Sequence, residues 1–130
     1  MKQEEIDIFE KVQSQLESLH SEIGALSKKS QNDALNKFKL KFVNQILVEA
    51  NKILGKNYKP FPGFEVFNED EIPSNSDATM VISQYLGCME KLRTDNITSK
   101  EDHNGNKYLV RWYWTKTGKQ TFPPIKIKEN

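Results

Sequence analysis

KYLVRWYWTKTGKQTFPPIKIK, residues 107–128, decides how this chain folds. It carries five aromatic and six basic residues, with Trp112 and Trp114 two positions apart. Its alternation predicts a strand over Lys107–Thr115, with Tyr108, Val110, Trp112 and Trp114 on one face and Leu109, Arg111 and Tyr113 on the other. Just upstream, Asn104-Gly105 is the strongest short hairpin signal a sequence can carry, and it predicts an antiparallel partner near Ile97–Glu101. A second turn at Lys116-Thr-Gly-Lys119 returns the chain as a third strand toward Phe122. Pro123 and Pro124 cannot donate ladder hydrogen bonds, so that strand is an edge or ends there. The tail is therefore expected to form a small antiparallel β-meander over 96–128.

Working backwards, the rest of the chain reads as helices. In residues 3–27, Phe9, Val12, Leu16, Leu19, Ile23 and Leu26 recur at intervals of three, four, three, four and three. That is the narrow a/d stripe of a coiled coil, on a helix roughly 37 Å long. Such a stripe requires either one antiparallel partner helix within the chain or a second copy of itself. Glu4, Glu5, Asp7 and Glu10 near its start and Lys28 and Lys29 at its end suit the helix dipole.

A second helix is expected from Ser30 as N-cap, with Asp33 completing a capping box, to Leu54, where Gly55 ends it. Leu35, Phe38, Phe42, Val43, Ile46, Leu47, Ala50, Ile53 and Leu54 would form a broad apolar face and make this the central helix. Leu40 falls about 200° from Phe38 on the helical wheel and would face elsewhere. A third helix is expected over 77–95, capped by Ser74 or Ser76, with Val81 or Ile82, Tyr85, Met89 and Leu92 on its core face. Gly87 in its middle, costing about 1 kcal/mol relative to alanine, suggests close approach of a neighbour. Between the second and third helices, Pro60, Pro62 and Pro73 exclude a continuous helix, while Tyr58, Phe61, Phe64, Val66 and Phe67 are too apolar for a free linker. This crossover should be ordered and packed on the second helix. The fold class is thus α+β in a single domain: a helical hairpin over 3–55, the crossover over 56–76, a third helix over 77–95 and the meander.

Charge is segregated. Residues 34–59 carry six bases and one acid, while 60–77 carry no base and five acids, so segments of +5 and −5 sit side by side although the whole chain is only +1. Such a pattern arises from pairing within the chain, pairing between subunits, or a basic face meant for a polyanion. The N-terminus lacks a basic region followed by an apolar one, and no stretch approaches the ~18–20 apolar residues of a membrane span. A cytoplasmic protein with no membrane association is expected. Cys88 has no partner for an internal disulfide and reads as a buried structural thiol.

Signals for enzyme chemistry are thin. His20 and His103 are far apart, and no zinc spacing, phosphate-binding glycine loop or nucleophile elbow occurs. Glu69, Asp70, Glu71 and Asp77 lack the alternating oxygen ligands and glycine of a calcium loop. No catalytic residue, metal or cofactor is assigned. The leading expectation is a non-enzymatic interaction protein, an adaptor or accessory subunit. It would dock through the Phe9, Val12, Leu16, Leu19, Ile23, Leu26 seam, the aromatic strand, or both, to a protein partner or to itself as a homodimer through the first helix. The alternative is a nucleic-acid-binding accessory protein that uses Arg111, Tyr113, Lys116 and Lys119 to stack bases and hold phosphates.

Overall fold

A computed structural model describes residues 1–105 and 107–125. The elements are α1 (Gln3–Lys29), α2 (Lys37–Tyr58), α3 (Asn75–Asp95), β1 (Ile97–Asn104), β2 (Lys107–Trp114) and β3 (Gln120–Thr121). The three strands form one antiparallel sheet in the order β1-β2-β3, so the α+β architecture with a C-terminal meander is observed. Residues 126–128, assigned to the end of that meander, lie outside the described residues.

The central helix is α3, not α2. Ala78, Val81, Ile82, Tyr85, Leu86, Met89 and Leu92 are all buried, and α3 packs on both α1 and α2. Its start is fixed by the Ser74 hydroxyl, which accepts from the Asp77 N–H. The same end is tied to the α1–α2 connection. Leu35 N–H donates to Pro73 O, Asn75 N–H to Asp33 O, and the Asn75 side chain to Ser30 O.

That tie corrects the expected start of α2. Residues 30–36 are drawn into an isolated bridge between Ala34 and Ser74, leaving Asn36 as the true N-cap, where its carboxamide oxygen accepts from the N–H groups of Phe38 and Lys39. The phase of α2 differs as well. Leu40, Val43, Leu47, Ala50 and Leu54 are buried, whereas Phe38 is 70% and Phe42 43% exposed. Two apolar stripes compete on this helix. The one containing Leu40 continues at intervals of three and four to Leu54, while the Phe38–Phe42 stripe runs on into Gln45 and Glu49. Gly55, at φ +61°, ends the regular helix as expected, and one further turn follows.

The crossover is held by asparagines of α2. Asn44 donates to Phe67 O and accepts from Phe67 N–H, and Asn51 donates to Glu65 O while accepting from the Tyr85 hydroxyl. These bonds satisfy backbone groups that no strand partner reaches. Phe61, Phe64 and Phe67 stack edge-to-face in sequence and pack on the core. At Gly87 no neighbour approaches: a Cβ there would meet nothing within 4 Å, contrary to the expectation. Cys88, beside it, is half-buried, and burial pushes its thiol pKa up.

Candidate interaction surface

The α1 seam is covered from within the chain. Phe9, Val12, Leu16 and Ile23 are buried, as is Ile6, and Leu19 and Leu26 are half-buried. Phe9 meets the Trp114 ring edge-to-face at 5.4 Å. α2 and α3 both pack on α1, so the stripe is spent within the chain and the seam is not the docking surface proposed below. An a/d pattern on one helix specifies that something covers it, and here the third helix supplies the cover.

The meander is anchored at one end only. Trp114 is buried and Trp112 half-buried, so the even face of β2 joins the core as far as these two rings. The anchor is completed by Arg93 of α3, whose side chain is 4% exposed. Its Nε and Nη2 donate to the Glu90 carboxylate, Nη1 to the Thr121 hydroxyl and Phe122 O, and Nη2 also to Pro123 O. All five guanidinium donors are thus used, and the chain just past β3 is clamped to α3. Nothing in the sequence marked Arg93, because a single arginine in an i, i+3 pair with glutamate reads as a solvated face. Beside the clamp, a groove of about 740 Å³ is lined by Glu10, Glu17, Trp114 and Phe122.

Beyond the tryptophans the hairpin leaves the core. β1 and β2 pair over their full lengths, from Ile97 opposite Trp114 to Asn104 opposite Lys107, with Gly105 at φ +67° following β1. β1 therefore runs past the expected Glu101 and takes in Asn104, so Gly105 is the first residue beyond it. β3 pairs only with Trp112 and Tyr113, so among the described residues no strand lies along the outer edge of β2 from Lys107 to Val110. Residues 107–111, roughly 17 Å of strand, are exposed on both faces. They include Tyr108 at 56%, Leu109 at 44% and Val110 at 46% exposure. Cross-strand contacts stiffen the arm. The Tyr108 hydroxyl donates to Glu101 Oε1 at 2.5 Å, which pushes the phenol pKa up, and its ring lies 5.1 Å from that of His103.

The four residues marked for nucleic acid differ in exposure and in partners. Arg111 and Lys116 are exposed, whereas Tyr113 is half-buried with Lys100 Nζ 5.4 Å from its ring centroid. Lys119 turns to α1, donating to Glu10 Oε1 at 2.9 Å with Asp7 Oδ1 at 3.6 Å. Among the described residues, no three His, Cys, Asp or Glu side chains converge as metal ligands would, and no helix is long and apolar enough to cross a membrane.

Comparison with known protein families, curated proteins and solved structures finds no match to this chain.

Proposed function

We propose that the protein is a non-enzymatic interaction protein, an adaptor or accessory subunit, that docks a protein partner through the β1–β2 arm. One observation carries this reading: Tyr108, Leu109 and Val110 are consecutive, exposed on both faces of a two-stranded ladder, and lie on a strand edge that no described residue pairs. A two-stranded ladder standing alone in water is marginally stable, and an open apolar edge is a liability that proteins ordinarily blunt. Here the charges Lys107 and Arg111 flank the three residues and leave the stretch between them apolar. A partner strand added to this edge would bond the backbone groups of residues 108–110 that no described strand reaches, while its side chains meet Leu109 on one face and Tyr108 and Val110 on the other.

The test is affinity capture from the native cell with the full chain and with a Tyr108→Ser/Leu109→Ser/Val110→Ser variant. None of the three side chains belongs to the buried core, so the variant should keep its helical circular dichroism and the melting transition of the core while giving up the Tyr108–Glu101 bond. Specific partners should be lost from the variant. An unchanged partner set would remove the arm from the docking role.

A further inference from the structure

We infer that two copies of this chain pair across the outer face of α2, Phe38 and Phe42 of each packing on the other and Lys37 and Lys41 of each facing the acidic run Glu69-Asp70-Glu71 of the other copy. This surface is separate from the arm and stands or falls independently of it.

The outer face of α2 breaks the usual rules for a solvated helix. Its inward stripe is complete without Phe38 and Phe42, yet these two rings pair edge-to-face at 4.9 Å in the open. No acid occupies the first turn of α2, and Lys37, Lys39 and Lys41 crowd its start, where the helix dipole disfavours cations. Local choices that oppose stability mark places where something else is being served.

The charge segregation remains largely unspent within one copy. Of the six lysines in 34–59, Lys39 pairs with Glu22, Lys52 with Glu49 and Lys59 with Glu65; only the last joins the basic segment to the acidic one. Among the described residues, Lys37, Lys41 and Lys56 have no carboxylate partner, and neither Glu69, Asp70 nor Glu71 has a cationic one.

The backbone places these two sets beside each other. Phe67 is pinned to Asn44, and Pro73 O accepts from Leu35 N–H, so residues 68–72 run back along the first two turns of α2. Lys37, Lys41 and Asn44 lie at i, i+4 and i+7, the stripe that faces this run. Phe38 and Phe42 border it. The surface therefore carries a basic strip, an acidic strip and an apolar pair in adjoining positions. Under a two-fold axis such a surface is its own complement, because each acidic strip meets the other copy's lysines. A nucleic acid or an anionic bilayer would meet the acidic run together with the lysines, which is why a second copy is the occupant the charges select.

The experiment is the mass in solution of the full chain, by light scattering or sedimentation across micromolar to millimolar concentration. Wild type should reach twice the 15.1 kDa of one chain. Phe38→Ser/Phe42→Ser should raise the dissociation constant by about thirtyfold or more, the effect of losing central aromatic anchors, with its melting temperature unchanged at dilutions where both proteins are monomers. Lys37→Glu/Lys41→Glu and Glu69→Lys/Glu71→Lys should each be monomeric alone and should dimerise when mixed one to one. This rescue requires both variants to be folded and does not depend on the phenylalanine variant. A wild-type mass of one chain at every concentration would overturn the inference. So would dimers that persist in each charge-reversed variant alone, or a mixture that stays monomeric.

Discussion

Replacing Arg93 with methionine removes the clamp between α3 and the end of the sheet while keeping a side chain of similar length. Glu90 is then left inside the protein with its carboxylate unpaired, and Phe122 O and Pro123 O lose their donors. The partners are 4% and 7% exposed, so solvent offers little compensation. Breaking a buried ion pair from one side costs about 3–5 kcal/mol, because an uncompensated charge remains. For 130 residues at about 2.1 cal/mol/K each, the unfolding entropy is roughly 0.27 kcal/mol/K, so the melting temperature should fall by about 11–18 °C. The pair itself is not the source of that loss. Arg93→Met combined with Glu90→Leu should recover a substantial part of it, since a well-packed apolar pair can equal a buried ionic one. The exposed Lys91–Asp95 pair is the control: Lys91→Met should shift stability by under about 1 kcal/mol. Thermal melts followed by circular dichroism read all four proteins. A fall of less than about 3 °C for Arg93→Met would show that the guanidinium is not clamping the strand, and the reasoning from burial would fail.

Leu16 has no exposed surface, so Leu16→Ala should cost about 2–5 kcal/mol in urea unfolding; a loss under about 1 kcal/mol would mean that the α1 stripe is not core. Asp95 accepts from the Tyr58 hydroxyl at 2.7 Å and from Lys91 Nζ at 3.0 Å, and these bonds, Tyr58's first, hold its carboxyl below the ordinary aspartate range. A depressed folded pKa contributes stability that is present above the unfolded value and is lost as pH falls through the folded one. Tyr58→Phe should therefore raise the Asp95 pKa in an NMR titration of its carboxyl carbon, and an unmoved titration would sink the assignment.

The elements that could be read from the sequence are those whose signals do not compete. α1 has one stripe and a solvated remainder, β1 and β2 flank a glycine turn, and Gly55 stops a helix where only glycine takes φ +61° without strain. The phase of α2 was less legible because apolar residues stand on two sides of it. The two large phenylalanine rings give the second side a strong apolar signal, although only the Leu40 stripe continues to the helix end. The displaced start of α2 follows from long-range pairing of Ala34 with Ser74, forty residues apart, which no local capping signal encodes. The central position of α3 was hidden by its polar residues. Asn75, Thr79, Ser83, Glu90 and Arg93 are buried with it, and two of these, Asn75 and Arg93, bond to distant backbone. At the candidate site, the tail's alternation located the aromatic strand and separated its two faces. How far the strand outruns the core could not be seen, because that depends on where α3 ends and where β3 stops pairing. Exposure of Tyr108, Leu109 and Val110 is a property of that mismatch in length.

The docking role of the arm is tested most directly by photo-crosslinking from inside the native cell. A photoreactive residue in place of Leu109 reports on the arm, and one in place of Ser18, on the solvent face of α1, reports on background. The account predicts discrete heteromeric cross-linked species from position 109 that are absent from position 18. Equal patterns from the two positions, or none from 109, would contradict it.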